Sequence, residues 1–503
     1  MASQDAGKDK DTDPCARGAV AVCGTGATGC TKKQDGYDCA CAPGFAARNG
    51  ACVKDKSCID GVEAACGDGA IGCNDVANSY QCTCDVLHLP EAEKRACRSR
   101  WEPAVHLGDL GSDPSVAAND RGNVAVVGRG AGGGPGFEIR AAYYDPMSGW
   151  SPLSVIGRAQ SSTWSPNEQD LTVVIDEEGT AIAGWKNSIA MNSDGSVVES
   201  VWINRYVPGV GWSQPMSLDS GHTTKMALAM NREGSAIVIY DHWENEKVRI
   251  WARRYVPTTG WSMATMIDNP SAGQPHTLSV AIDASGNALA LWDSLVDREH
   301  AEILANRFAV GAGWSTPTKL SPTGTTGQAT SPNVAIDDTG NAIAVWTSPS
   351  NGIEASRYVV GNGWQTPVEI HPNHAFEDRN PRVALDSVGN AVAVWWQPGP
   401  RHDGDALAVR YSAKDGWGTA TLIEDDDTTS VNRVDVMFDK DGKAVAYWNS
   451  VIAPYHAYLN RESVGSWSKV ARLPGNATAT VGAEGRLVFV YKASDGTKVA
   501  RLE

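Results

Sequence analysis

After Cys97 the chain contains no cysteine, although it runs on to residue 503. That long remainder has no disulfide and no thiolate metal site, so packing and hydrogen bonds must hold it together. No apolar run approaches the length of a bilayer span, which excludes a transmembrane helix. Lys and Arg number 43 against 59 Asp and Glu, a net charge of -16. With no basic field to displace counterions, a nucleic-acid partner is not expected. Apolar residues recur at neither helical nor heptad spacing, which excludes a helical bundle or a coiled coil. No secretory leader is expected in this start, since Met1 is followed by ASQDAGKDKDTD. We read that start as a mature segment behind an added initiator.

What the chain does contain is a repeat. In NVAIDDTGNAIAVW, residues 333–346, two short apolar runs rich in β-branched residues flank Asp338, Thr339, Gly340 and Asn341, the signature of a hairpin. A third run from Ala355, a turn at 361–363 and a fourth run from Trp364 complete a four-stranded antiparallel sheet. Related hairpins begin at Val116, Val173, Leu228, Val280, Val383, Val436 and Thr480. The tryptophan opening the fourth strand recurs at 101, 150, 212, 261, 314, 364, 417 and 467, at intervals of 49, 62, 49, 53, 50, 53 and 50 residues. Such a period marks a solenoid or a propeller. The ends decide between them: the array begins with a lone fourth strand, 101–107, and finishes with three strands, the last at 498–503. A ring closes itself with such complementary pieces, whereas an open stack needs caps. The expected fold is all-β, an eight-bladed β-propeller over 101–503 closed by its own N-terminal strand. Runs such as 342–346 are apolar on both faces, as sheets sandwiched between neighbours must be. Trp346 and Trp395 are accordingly expected in inter-blade packing.

The twelve cysteines fall at 15, 23, 30, 39, 41 and 52, then at 58, 66, 73, 82, 84 and 97. Near-identical gaps mark two six-cysteine modules, 15–52 and 53–97, behind a polar segment, 1–14. Each is too small to fold without staples, and disulfides place the chain in an oxidising, secreted or cell-surface setting. Spacing alone leaves the pairing open. The pattern resembles the EGF-like domain, most specifically in Cys41, Ala42, Pro43, Gly44 and Phe45 and in Gly50, Ala51 and Cys52; the second copy departs from it after Cys84. The resemblance implies the pairs Cys15–Cys30, Cys23–Cys39 and Cys41–Cys52, then Cys58–Cys73, Cys66–Cys82 and Cys84–Cys97. Some EGF-like domains bind calcium, and the candidate ligands here are Asp11 and Asp13 in the first copy or Asp75 in the second. Lys32 replaces a ligand in the first copy and Asp55 is out of register in the second, so each set falls short of the six oxygens a hard cation needs. A plain spacer module is the alternative.

If strands alternate in direction, the first-to-second and third-to-fourth turns share one rim of the ring. These turns are uniform, reading DDTGN and GNGW or close to it. The other rim carries the second-to-third and blade-to-blade connections, which vary in length and chemistry, as at 156–170 and 185–202. Sites built on loops concentrate where a rigid scaffold lets the loops differ. Nine of the ten histidines lie at or beside that variable rim; His88 belongs to the second module. The candidate binding residues are Trp164, His222, Asp241, His242, Trp243, Glu244, His276, Arg298, His300, His371, His374, Arg401 and His402. A fixed turn that excludes histidine and a solvated polar loop would produce the same distribution. His371 and His374, with Glu377 and Asp378, carry the donor types of a transition-metal site. The run Glu424, Asp425, Asp426, Asp427 draws calcium or is simply solvated. On the uniform rim, Arg205, Arg254, Arg307, Arg357, Arg410, Arg461 and Arg501 sit near the ends of third strands, while Asp176, Asp283, Asp337, Asp386 and Asp439 end first strands. They are expected to form a structural ladder of charge-assisted bonds.

The turn into Trp364 looks like the aspartate-box turn of sialidase-type propellers, most nearly matched at Ser412, Asp415, Gly416 and Trp417. The AIDxxG phrase on eight blades looks like the quinoprotein dehydrogenases. The arginine triad and tyrosine–glutamate pair of the first have no counterparts here, and a propeller without cysteine lacks the vicinal disulfide of the second. A further likeness, to secreted bacterial repeat proteins whose blades read GNAxAVW, implies a fold and no activity. The expectation is a secreted or cell-surface binding or adhesion protein that presents its propeller to an extracellular protein or glycan. The alternative is a polysaccharide hydrolase or lyase using loop carboxylates or histidines as acid and base, although no nucleophile–base pair is legible.

Overall fold

The computed structural model divides into two compact units, Met1–Arg100 and Trp101–Glu503. In the first, the described residues are 15, 18–25, 27–33, 36–42, 45–48, 51–54, 70–76, 79–84, 88–90 and 97–99. In the second they are 102–502 except 112–113, 132–135, 160–170, 192–196, 220, 222, 245–246, 270–272, 322–326, 373–378, 399–403, 425–430, 440, 451–455, 464–465, 469, 474, 484–485 and 494. No helix among them is long and apolar enough to cross a membrane.

The first unit is disulfide-stapled hairpin. Ala27–Lys33 pairs with Gly36–Cys41 and Phe45–Arg48 with Ala51–Lys54. The bonds Cys15–Cys30, Cys23–Cys39 and Cys41–Cys52 are those the resemblance implied. The next module repeats the layout: Ala70–Val76 pairs with Ser79–Cys84, with a bulge after Ala70 matching the one after Ala27. Cys73 and Cys82 are disulfide-bonded. Cys58 and Cys66, and the side chains of Cys84 and Cys97, lie outside the described residues.

The second unit is the eight-bladed ring. Blade 5 shows its grammar: Thr330–Ile336, Ala342–Thr347 and Ile353–Val359 pair in order, antiparallel. In the first turn Asp337 Oδ1 accepts from the amides of Thr339 and Asn341, both at 2.9 Å. Gly340 takes φ 88°, a left-handed conformation that favours glycine. The Asn341 side chain then accepts from Val360 N at 3.1 Å, tying the two turns of one rim together. Four of the five letters of DDTGN thus have a local task, which is why these turns stay uniform. The fourth strand is split, here into Gly363–Trp364 and Val368–His371. Pro367 cannot donate at the break; in blades 1, 2, 3, 4 and 7 a serine just after the tryptophan bridges to the third strand, as where Ser315 N donates to Arg307 O at 2.9 Å and its hydroxyl accepts from Arg307 N.

First strands neighbour one another around the whole ring, with Ala477–Val481 of blade 8 beside Ser115–Ala118 of blade 1. Blade 8 takes its fourth strand from the front of the unit: Val105–Gly108 pairs with Gly496–Leu502, Lys498 opposite His106. The closing strand begins later than expected, at Val105, after Pro103. Between blades sit apolar clusters, anchored in blades 2, 4, 5, 6 and 7 by a tryptophan of the second strand. Trp346 and Trp395 are fully buried, each against the preceding blade. Asparagines bolt neighbours as well: Asn204, Asn306 and Asn460 donate from third strands to Ile156, Ile267 and Ile423 carbonyls of the preceding blade at 2.7–2.8 Å.

The arginine ladder exists, but its rungs are aromatic. Arg254, Arg307 and Arg357 stack over Phe308, Tyr358 and Tyr411 of the following blade, 5.4–6.0 Å from the ring centroids, and Arg205 over Tyr255 at 5.7 Å. Each of these rings leans on its own blade's fourth-strand tryptophan, as Tyr358 does on Trp364 at 5.4 Å. Arg501 lies over Tyr144 and closes the circuit. Arg410 instead pairs with Glu462, and among the described residues only Arg461 donates to a first-strand carboxylate, Asp439 Oδ2 at 2.5 Å. The reason is local: the first-strand aspartates are already used by their own turns, and a flat guanidinium finds an aromatic face one blade away. Where blade 8 offers Leu502 instead of an aromatic, Arg461 folds back.

Trp346→Ala should lower the free energy of unfolding by about 3–5 kcal/mol, the usual range for emptying such a buried site. Its Nε1 also donates to Glu354 Oε2 at 2.8 Å, so the variant leaves that part-buried carboxylate short of a donor. Denaturant melts of the two proteins check this; a change below 1 kcal/mol would contradict the packing role.

Candidate functional site

The residues 241–244 were expected in a loop and instead extend a strand. Ala236–Glu244 and Lys247–Val256 form a hairpin on the variable rim of blade 3, with Asp241 opposite Ile250, His242 opposite Arg249 and Trp243 opposite Val248. Blade 2 does the same at greater length, since Ala181–Met191 and Val197–Val207 turn the expected excursion into a β-ribbon. Strand alternation then sorts the side chains. Asp241 is 1% exposed and points inward. It accepts from Thr224 N, Thr224 Oγ1 and Lys225 N at 2.5–2.7 Å, pinning the entry to the first strand. Burial pushes its carboxyl above the usual range against those bonds. Asp241 is therefore a structural pin, not a surface ligand. Asp293 is its equivalent in blade 4, buried, holding His276 N and Thr277 N at 2.8 and 2.6 Å.

His242 faces the other way, toward the edge of blade 2. Its Nδ1 donates to Asp219 Oδ2 at 3.1 Å, and Thr223 Oγ1 donates to the same oxygen at 2.6 Å. A Cβ at Gly221 would fall 2.0 Å from His242 Cε1, so a side chain there would displace the ring. Trp251 meets the imidazole edge-on at 6.3 Å. The bond to Asp219 holds the imidazolium above its ordinary range, outweighing partial burial, with Glu244 and Asp241 adding smaller pulls. The outcome is an oriented imidazole with a carboxylate behind it, an arrangement suited to hydrogen-bonding a ligand or to moving a proton through Nε2. Beside it Trp243 is 39% exposed and Glu244 is exposed. Asp219 and Thr223 carry no motif and come from another blade, so the sequence reading passed over them.

The other candidates scatter. His300 Nδ1 sits 2.8 Å from Asp297, whose Oδ1 also accepts from the amides of Glu299 and His300. That is a hairpin turn closing on itself, with Arg298 exposed at its tip. His276 is exposed at the start of blade 4, and the His371 ring packs 5.1 Å from Trp395 at the blade 5–6 junction. Trp164, His222, His374, Glu377, Asp378, Arg401 and His402 lie outside the described residues, as do Asp11, Asp13, the Asp75 side chain and 425–427. Among the described residues no three His, Cys, Asp or Glu side chains converge as a metal site.

No protein-family model matches the chain, and a search of curated proteins returns no match. Solved structures are similar at low identity. A polysaccharide lyase described as a PL25 ulvan lyase is similar over 74% of this chain and 98% of its own, at 12% identity and a TM-score of 0.49. The BP39L lectin from Burkholderia pseudomallei is similar over 73% of this chain and 100% of its own, at 12% identity and 0.49. A protein of unknown function from Dyadobacter fermentans is similar over 61% and 99%, at 11% identity and 0.39.

Asp219→Asn should lower the His242 pKa, read from the ring-proton shifts in an NMR titration. Because the folded value lies above the ordinary 6.5, the stability this pair contributes is fully present below about pH 6.5 and is lost as pH rises through the folded pKa. The wild type's margin over the variant in thermal melts should shrink across that window. An unchanged His242 titration in the variant would exclude the coupling.

Proposed function

We propose that the protein is an extracytoplasmic binding protein whose variable propeller rim takes a glycan or protein ligand, with two EGF-like modules as the spacer before it. The observation that supports this most directly is Trp243, a large aromatic left 39% exposed at the end of a hairpin, flanked by the oriented His242 and by Glu244. An amphipathic ring beside hydrogen-bonding groups of both signs suits a sugar face or a polar protein patch. Trp164, His222, His374, Arg401 and His402 belong to the same proposed surface by their place in the repeat. The disulfides support an oxidising location. Calcium is the one cofactor proposed, at Asp11 and Asp13 or at Asp75 in the amino-terminal modules.

A second reading, a hydrolase or lyase acting on extracellular polysaccharide, is favoured by one feature, the carboxylate-backed imidazole of His242. There the Nε2 atom would serve as acid or base.

Glycan-array binding together with polysaccharide-degradation assays separates the two. Under the binding reading, Trp243→Ala weakens ligand capture about tenfold or more, on the order of 1.4 kcal/mol, and no polysaccharide is cleaved. Cleavage that disappears in His242→Gln would establish the enzyme instead, and undiminished capture by the Trp243 variant would displace the proposed site.

A further inference from the structure

Wherever the described backbone turns to positive φ it uses glycine, with three exceptions: Ser331 at 57°, Asn351 at 67° and Asn380 at 50°. Asn351 is exposed at the tip of the turn 348–352, an ordinary place for a left-handed asparagine. The other two share one position of the repeat. The first strands of blades 5 and 6 each bulge on entry, between Thr330 and Asn333 and between Arg379 and Arg382, and Ser331 and Asn380 open those bulges. Each precedes a buried proline, Pro332 or Pro381, and proline pushes the residue before it toward extended conformations. Glycine is the default residue for such a place. Asparagine bears it at modest cost and serine at more.

The backbone accounts for the conformation at Ser331. Asp293 Oδ2 accepts from Ser331 N at 3.3 Å while its Oδ1 holds His276 N and Thr277 N, so one buried carboxylate fixes the entries of blades 4 and 5. It does not account for the side chains. Ser331 Oγ donates to Asn380 Oδ1 at 3.4 Å, longer than the 2.5–3.0 Å or so of a good O–H···O bond. No other hydrogen bond among the described residues involves either side chain, and Asn380 is exposed. First strands neighbour one another about the axis of the ring, so this pair stands on the variable rim at the mouth of the ring.

We propose that Ser331 and Asn380 bind the vicinal hydroxyl groups of a neutral sugar, which makes the mouth between blades 5 and 6 a subsite of the variable rim. This rests on the binding reading above and selects the glycan over the protein ligand. A hydroxyl and a carboxamide each donate and accept, as sugar hydroxyls do, and the pair carries no charge that would select an ion. Strain retained where glycine would relieve it marks side chains with a use outside the fold.

Glycan-array capture and thermal melts of the full chain together test this. The wild type should capture neutral glycans. Combining Ser331→Gly with Asn380→Gly should weaken that capture about tenfold or more, the loss of two hydrogen-bonding side chains. The melting temperature of the double variant should rise or stay within about 2 °C of the wild type's, because glycine adopts both φ values freely. Unchanged capture by the double variant, a larger fall in its melting temperature, or capture confined to uronate-bearing glycans would overturn the proposal. If the double variant binds as the wild type does while Trp243→Ala loses capture, the binding reading stands and this subsite falls. No glycan capture by the wild type would overturn both.

Discussion

Four residues, Val105–Gly108, hydrogen-bond to a strand almost four hundred positions later, and the ring exists because they do. Without them the eighth sheet would end in an unpaired edge, a template for association with another chain. The clasp is reinforced on both sides. Glu102 N donates to Arg501 O at 2.9 Å, and Leu110 N to the buried Thr497 hydroxyl at 3.2 Å. Lys492 bonds Asp109 at 2.7 Å. Such distant pairing is entropically expensive to find and late to be rewarded, which is why the contacts that secure it are polar and directional as well as apolar. Closure also dictates that every blade be covered on both faces, and hence that second strands such as Ala342–Thr347 be buried throughout.

A closed ring of like sheets divides its surface unequally. On the uniform rim the polar groups are consumed by the architecture: the aspartate closes its turn, the asparagine joins that turn to the next, and the arginine lies on the neighbouring blade's aromatic. Little is left over to meet a ligand. On the variable rim the hairpins lengthen, and side chains pass from buried to exposed toward the tip, as along Ala236–Glu244. One run, Asp241, His242, Trp243, Glu244, therefore supplies a buried pin, an oriented imidazole and an exposed indole in succession.

Much of the fold was legible because the repeat states it eight times. Blade count, closure by the first strand and the burial of Trp346 and Trp395 all follow from period and apolar runs, which report burial directly. The pairing of Cys15, Cys23 and Cys41 came from a resemblance, since spacing cannot choose among connectivities. The site was less legible. Residue type showed that His242 and Trp243 stand where the repeat permits variation, yet it did not separate Asp241, turned inward, from its neighbours. Nor did it reveal Asp219, because a contact between blades leaves no mark at a fixed sequence distance. The arginines show the same limit: their recurrence announced a ladder, but their partners were decided by which flat surface lay one blade away.

In an array of this kind the informative residues are those that break the pattern without a structural need. Asp241 and Asp293 break it where most blades place another side chain, but each is buried and holds two strand-entry amides, so its departure is explained by the backbone it secures. Gly482 breaks it by omission, since five of the other seven turns carry aspartate there and two carry asparagine. A glycine chosen only to let first strands approach at the seam, where Ala118 lies close, would account for the lost side chain.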